Sequence, residues 1–382
     1  MVVAIDPRAS KPYDIAVKGL HWFILQLALA VSVAAADLPP IQSVTSDDQG
    51  RIIVNGRPFF PILMYGVPAE PAPLNMIRDH GFNTVTGKPE DTDVVLANGL
   101  YAAVHAGGKK VEKLGGVLLG IGVDSPALIW KQGLLEKVKA NLAKVRSEIP
   151  NRPIMNAIGY WDDEPAGVVA NTLLPKERYE DLIKILDVTA PYLYPVPYEP
   201  IRSVGAAVER AYTATEGKKP LLPILQLFVW NAKDRYPTPA ELKCMVYLAL
   251  IHGANGIGYY SYNYVDGKTG TNIAKEQPEL WQAVKEINGE IAAISPLLLA
   301  GGKDSTKLKE GAPDVEFRTV SHDKSTLILL ANTANAPKTA VLQFAARIHH
   351  SLKSIGEGKT LSFDGDQVKI PLQPNQAAAW IE

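Results

Sequence analysis

The sequence predicts an α/β chain, a (β/α)8 TIM barrel followed by a small all-β, sandwich-like C-terminal domain. Three observations carry that expectation. Between about residues 61 and 300, eight short apolar runs alternate with amphipathic or turn-bounded segments. Several of these runs are apolar throughout, as suits parallel strands covered on both faces. Beyond residue 300 the pattern changes to short runs separated by turn residues, which reads as antiparallel strands.

Taken in order, the chain opens with Arg8, Lys11 and Lys18, then an apolar stretch from Leu20 to Ala35, then Ala34-Ala35-Ala36 before Asp37. That is the pattern of a signal peptide over residues 1–36, cleaved after Ala36. A membrane anchor is the alternative, but the apolar stretch is shorter than the roughly 20 residues a spanning helix needs. The expectation is therefore a secreted or periplasmic protein with no stable membrane insertion after cleavage. Cys244 is the only cysteine, so no internal disulfide can form even in an oxidising compartment.

Residues 37–60 read as a linker and a hairpin. Arg51 to Ile62 runs Arg-Ile-Ile-Val-Asn-Gly-Arg-Pro-Phe-Phe-Pro-Ile, and Asn55-Gly56 tolerates the positive φ of a type I′ turn. This hairpin is expected to close the bottom of the barrel.

The barrel spans residues 61–300. Its strands are expected at Ile62 to Gly66, Asn83 to Thr86, Tyr101 to His105, Val117 to Val123, Pro153 to Ile158, Val188 to Tyr194, Leu222 to Phe228 and Ile257 to Tyr262. Among the helices, Gly133 to Ile149 places Leu134, Leu135, Val138, Leu142 and Val145 at helical spacing. Thr238 to Gly253 opens with a capping Thr and a first-turn Pro239, and a last helix runs from about Pro278 to Leu299. A doubly wound sheet is the alternative topology, but no Gly-x-Gly-x-x-Gly follows the first strand. Residues 301–382 then form the β domain, with runs at Val315 to Val320, Thr326 to Ala331, Thr339 to Phe344, Lys359 to Phe363, Gln367 to Ile370 and Ala377 to Ile381. Asp364-Gly365-Asp366 is expected as a turn between two of them.

The formal net charge is −1, and there is neither a run of five like charges nor a Lys/Arg stripe interleaved with aromatics. That excludes the usual signature of nucleic-acid binding. No Gly-x-Ser-x-Gly elbow, Walker loop or His-Glu-x-x-His helix occurs. His349-His350 reads as surface, and Asp266 to Gly270 has too few alternating oxygen ligands for a calcium loop. Neither a cofactor nor a metal is expected.

In such a barrel the C-terminal strand ends form the active mouth. The residues expected there are Tyr65, His105, Asp124, Ser125, Asn156, Tyr192, Tyr194, Gln226, Phe228, Trp230, Tyr260 and Tyr262. Aromatic faces stack on the C–H faces of sugar rings while amides, carboxylates and phenols bond to hydroxyls, so this mixture suits a carbohydrate. The alternative is that several of the rings simply fill the barrel interior. The densest carboxylates near any strand end lie in Gly159-Tyr-Trp-Asp-Asp-Glu-Pro165. There Asp162, Asp163 and Glu164 can raise one another's pKa, as a general acid requires, and Trp161 can hold a sugar face. The same cluster also suits an exposed loop or a helix first turn.

Several segments resemble the barrel of secreted bacterial glycoside hydrolases with a small C-terminal β domain. They are Gly56-Arg-Pro-Phe-Phe-Pro-Ile, Gly81-Phe-Asn-Thr-Val85, Tyr192-Leu-Tyr-Pro-Val196, Gln226-Leu-Phe-Val-Trp230, Tyr236-Pro-Thr-Pro-Ala-Glu-Leu and His252-Gly-Ala-Asn-Gly-Ile-Gly-Tyr-Tyr-Ser261. The likeness covers roughly residues 51 to 300. It implies an acid/base Glu after strand 4, in an Asn-Glu-Pro or Asp-Glu-Pro motif, and a nucleophile Glu after strand 7. Here strand 4 leads into Asp124-Ser125-Pro126 and strand 7 carries Gln226. One register keeps these assignments. The other makes Asp163-Glu164-Pro165 the strand 4 motif, at the cost of merging or discarding an earlier strand.

Either register leaves a less usual catalytic set: Glu164 as general acid, Asp124 as base or nucleophile and Asp163 tuning the acid. A carboxylate separation of about 5 Å implies retention, and roughly 6.5 to 9.5 Å inversion. Two functions follow as expectations. One is an exported glycoside hydrolase acting on a poly- or oligosaccharide; the other is a non-catalytic glycan-binding protein on the same kind of barrel.

Overall fold

The computed structural model describes residues 38–122, 134–159, 176–231, 233–265, 270–302, 306–323 and 325–382. Three short strands come first, β1 (Val44–Ser46), β2 (Ile52–Val54) and β3 (Arg57–Phe59), paired antiparallel in that order. Asn55 and Gly56 hold φ of 50° and 78°, so the expected primed turn forms between two residues that tolerate it. Ile52 and Val54 point into the base of the barrel, in one apolar cluster with Leu63, Leu118 and Met155.

The barrel is closed and parallel. Its strands are β4 (Ile62–Met64), β5 (Thr84–Gly87), β6 (Tyr101–Val104), β7 (Val117–Ile121), β8 (Ile154–Ile158), β9 (Val188–Leu193), β10 (Ile224–Gln226) and β11 (Ile257–Tyr260). They pair in chain order, and β10–β11–β4 closes the ring. Each expected run overlaps one of these strands, the second strand reaching one residue past its run, to Gly87. The seventh is trimmed to three residues because Pro223 has no N–H to give the ladder, although Leu222 N–H still bonds to Thr189 C=O at 2.9 Å. Because β7 and β8 precede residues 123–133 and 160–175 respectively, Asp163-Glu164-Pro165 follows the fifth barrel strand, not the fourth.

Between the strands lie α1 (Pro71–Asp79), α2 (Thr92–Ala97), α3 (Leu134–Glu148), α4 (Lys176–Ile185), α5 (Ser203–Ala214) and α6 (Pro239–Ile251). A hairpin of β12 (Asn263–Val265) and β13 (Gly270–Asn272) follows, then α7 (Ile273–Glu276) and α8 (Pro278–Ala300). Thr238 caps α6 in a reciprocal box with Glu241: Glu241 N–H donates to Thr238 Oγ1 at 3.2 Å, and Thr238 N–H to Glu241 Oε2 at 2.8 Å. At the closed end, the buried Arg152 donates to the carbonyls of Val117, Leu114 and Ile41 at 2.7–3.2 Å. It supplies donors to backbone carbonyls at the barrel base, where burial removes water as an alternative partner.

The C-terminal strands are β14 (Lys307–Glu310), β15 (Val315–His322), β16 (Ser325–Asn332), β17 (Lys338–Ser354), β18 (Thr360–Leu372) and β19 (Ala377–Ile381). They are antiparallel in the order β14-β17-β19-β16-β15, with β18 on β17. Asp364-Gly365-Asp366 is not the expected turn. It lies inside β18, where Gly365 at φ 125° faces a register shift between Gln343 and Ile348 on β17. The shift leaves extra residues on β17, a bulge that joins two expected runs into one long ribbon. Pro371 is tolerated because β18 pairs on one side only.

Alternate residues of β16 and β19 serve two cores. Ile328, Leu330, Ala378 and Trp380 pack with Leu342 and Val368 of β17 and β18. Leu327, Leu329, Ala331, Ala377 and Ala379 instead join the cluster that contains α6 and α8. This explains why α6 is apolar on every side, with every residue from Cys244 to Ile251 buried. Polar ties reinforce the join: Arg318 donates to Leu250 C=O at 2.8 Å, and the His252 ring bonds to Glu316.

Candidate functional site

Strand alternation decides what reaches the mouth. Leu63, Ala103, Ala190 and Ile224 face the barrel interior, so Tyr192 and Gln226, two residues further on within β9 and β10, continue the inward series, and Tyr65, just past β4, packs in the same interior cluster. Around the ends of β9, β10 and β11 the aromatic side chains form one network. Tyr194 lies 5.5 Å from Tyr192, 5.0 Å from Phe228, 5.9 Å from Trp230 and 5.9 Å from Tyr260, ring centre to ring centre. Tyr260 reaches Tyr65 at 5.6 Å, and Phe228 reaches Tyr264 at 4.7 Å. These are separations at which rings attract in tilted and edge-to-face arrangements, and the network buries Tyr65, Tyr192 and Phe228. Tyr194, Trp230, Tyr260 and Tyr264 remain partly open.

Trp230 is fixed by its indole N–H, which donates to Tyr194 C=O at 3.2 Å. Gln226 has no exposed surface. Its Oε1 accepts from Val196 N–H at 2.8 Å, and its Nε2 donates to Val196 C=O at 2.8 Å and Phe228 C=O at 3.1 Å. The amide thus clamps the loop after β9 to the end of β10, a structural role beneath the rings.

Two expected mouth residues lie elsewhere. Tyr262 sits beyond the end of β11, its ring 5.8 Å from Trp281 of α8 and its hydroxyl 3.7 Å from Met76 Sδ of α1. Strand alternation stops with the strand at Tyr260, so the inward series does not extend to it. Asn156 is buried in β8 between Met155 and Ala157, which face inward, so its own side chain turns toward the helix layer. It fills the space over Gly122, where a Cβ would come within 2.4 Å of Asn156 Oδ1. His105 is half-buried at the end of β6. Asp124, Ser125, Trp161, Asp163 and Glu164 lie outside the described residues.

The rim adds groups that the strand-end reasoning did not reach. Tyr198, 44% exposed, donates its hydroxyl to Asp234 Oδ1 at 2.7 Å, and Asn231 Nδ2 donates to the other Asp234 oxygen at 2.6 Å. The bond to Asp234 raises the phenol pKa, since the ionised form could not donate it. Tyr236 donates to Glu276 Oε2 at 3.2 Å, and its hydroxyl is likewise pushed up, chiefly by burial. The sequence signal for Tyr198 was its place in Tyr192-Leu-Tyr-Pro-Val-Pro-Tyr198, a proline-stiffened exit from a strand end. Tyr264 lies in β12, a strand outside the expected set, although Asp266 to Gly270 beyond it reads as a turn in the sequence.

No family profile matches this sequence, and no curated protein does. Solved structures do. One is a glycoside hydrolase family 5 protein from Bacteroides vulgatus, at 12% identity over 89% of this chain and 93% of that one, with a TM-score of 0.55. Another is a GH42 β-galactosidase from G. stearothermophilus, at 7% identity over 85% and 98%, with a TM-score of 0.56. The fold is that of the barrel glycoside hydrolases. At these identities the likeness is one of architecture. On this glycoside-hydrolase-like barrel, the end of the seventh strand carries a clamping amide and a cluster of rings.

Proposed function

We propose that the protein is an exported glycoside hydrolase that cleaves glycosidic bonds of a poly- or oligosaccharide by carboxylate acid/base chemistry. The observation that carries this reading is the network of Tyr65, Tyr192, Tyr194, Phe228, Trp230, Tyr260 and Tyr264 at the C-terminal mouth of the barrel. Open ring faces above a buried aromatic floor suit the apolar side of a pyranose. Glu164 serves as general acid, Asp163 keeps its proton on by like-charge repulsion, and Asp124 acts as base or nucleophile. Trp161 and His105 complete the sugar contacts. The pattern of residues 1–36 supports export, and the substrate is then an extracellular or periplasmic glycan.

One observation favours a second reading, a non-catalytic glycan-binding protein. The clamped Gln226 stands where the resemblance calls for a nucleophilic Glu, and its amide is committed to Val196 and Phe228. A barrel that kept its rings while losing a carboxylate would bind sugar without cleaving it.

Release of reducing sugar from a panel of glycans, comparing the mature protein with Glu164→Gln, separates the two. Parent activity that falls by at least about 10² in the variant, the usual cost of losing a general acid, supports hydrolysis with Glu164 in that role. An unaffected variant moves the chemistry to Asp124. Binding without turnover on every glycan sinks the hydrolase and leaves the second reading.

A further inference from the structure

Beside the mouth, the loop after β10, the β12–β13 hairpin and the start of α8 enclose a groove of about 760 Å³. Asn231, Asp234, Tyr236, Tyr264, Thr271 and Glu276 are among its walls. The volume falls within the range of about 300–1,000 Å³ typical of small-molecule sites, enough for more than one sugar ring. Tyr264 belongs to both places. It lines the groove, and its ring lies 4.7 Å from Phe228 and 6.0 Å from Tyr260 of the mouth network. Asn231 and Asp234 adjoin the mouth from the other side, through the exposed Tyr198 ring they hold. A chain of sugars seated in the mouth can therefore continue along protein surface into the groove.

The chemistry of the walls narrows what such a chain can carry. Asp234, Glu276 and Glu279 contribute three carboxylates. Among the described residues that line the groove, Arg235 is the one cation, and it is held fork-to-fork by Glu241 at 2.6 and 2.7 Å, so its charge is offset. Carboxylates accept bonds from sugar hydroxyls and repel carboxylate or sulfate groups on a ligand. We infer that this groove holds the outer units of a linear, uncharged glycan whose inner unit occupies the mouth, and that its acidic walls reject uronic-acid and sulfated chains. The inference rests on the carbohydrate reading of the mouth.

The test is calorimetric titration of the whole protein with cello-, xylo- and galacto-oligosaccharides from monosaccharide to hexasaccharide, alongside oligogalacturonides of the same lengths. At least one neutral series is expected to gain about tenfold or more in affinity with length, and the oligogalacturonides to bind at least about tenfold more weakly at equal length. Removing an anchoring ring with Tyr236→Ala is expected to erase the gain with length, by a factor of about ten. The exposed charge reversal Glu279→Arg, which leaves the core untouched, is expected to bring the oligogalacturonides toward the neutral series. Neutral binding that ignores chain length in every series overturns the groove while leaving sugar binding at the mouth intact. Oligogalacturonides bound as tightly as neutral chains overturn the charge selection. No binding to any series overturns both this inference and the carbohydrate reading.

Discussion

Gln226→Glu is the substitution that would restore a carboxylate at the end of the seventh barrel strand. The surroundings of Gln226 predict a loss of stability instead of a gain of function. In the parent, the side-chain amide gives two hydrogens, to Val196 C=O and Phe228 C=O, and takes one from Val196 N–H. An ionised carboxylate can keep only the accepted bond, and it places an anion against two buried carbonyl oxygens. Each of the two acceptors left without a donor costs about 1–3 kcal/mol, so about 2–6 kcal/mol is lost at pH 8. With an unfolding entropy near 2.1 cal/mol/K per residue over roughly 350 residues, 3 kcal/mol corresponds to about 4 °C in Tm.

Burial and the two carbonyls raise the pKa of the introduced carboxyl in the folded state. The variant is therefore most stable below the unfolded value of about 4.3, and loses stability as pH rises through the raised folded value. Urea unfolding at pH 5 and pH 8 measures this. The gap between parent and variant should widen at pH 8, with no hydrolytic activity appearing. Equal stability at pH 8, or new activity, refutes the clamp.

Two further outcomes follow from Glu241 and Cys244. Burial pushes Glu241 up, but hydrogen bonds from Arg235 and Thr238 outweigh it and hold the carboxyl below its usual value. Its contribution is therefore present above about pH 4.3 and lost as pH falls through the folded value. Glu241→Gln should be less stable than the parent at pH 7 and nearly equal to it at pH 3; an unchanged gap at both would remove the ion pair from the account. Burial raises the Cys244 thiol to about 12, so a thiol-specific reagent at pH 8 should label it only after denaturation. Prompt labelling of the native protein would contradict the packing of α6.

The barrel was legible because its strands are short, apolar and closed by breakers, a pattern that two-sided burial imposes directly. The hairpin at Asn55-Gly56 and the cap at Thr238 were equally plain, since both rest on local chemistry. The long ribbon of β17 and β18 was not. Asp364-Gly365-Asp366 has turn composition, and only the bulge opposite it, a property of the partner strand, converts it to strand. At the site, strand-end position brought Tyr65, Tyr192 and Tyr260 to the mouth, but it also sent Asn156 and Tyr262 there. Asn156 belongs to the alternate phase of β8, and Tyr262 lies past the end of β11. The clamping role of Gln226 was invisible because the loop it ties down, at Val196, is thirty positions away and is met through backbone atoms.

The double-sided burial of α6 has a consequence for the order in which the chain can acquire its structure. The outer face of this helix is covered by β16 and β19, and Ile381 lies 130 positions after Ile251 (381 − 251). At a synthesis rate of about 5–20 residues per second, that helix waits roughly 6–26 s on the ribosome before its last covering strand exists. During that interval it is a thirteen-residue greasy cylinder with one side bare, a natural target for chaperones. Products truncated before β19 should accordingly be cleared as misfolded, even though all eight barrel strands would already have been made.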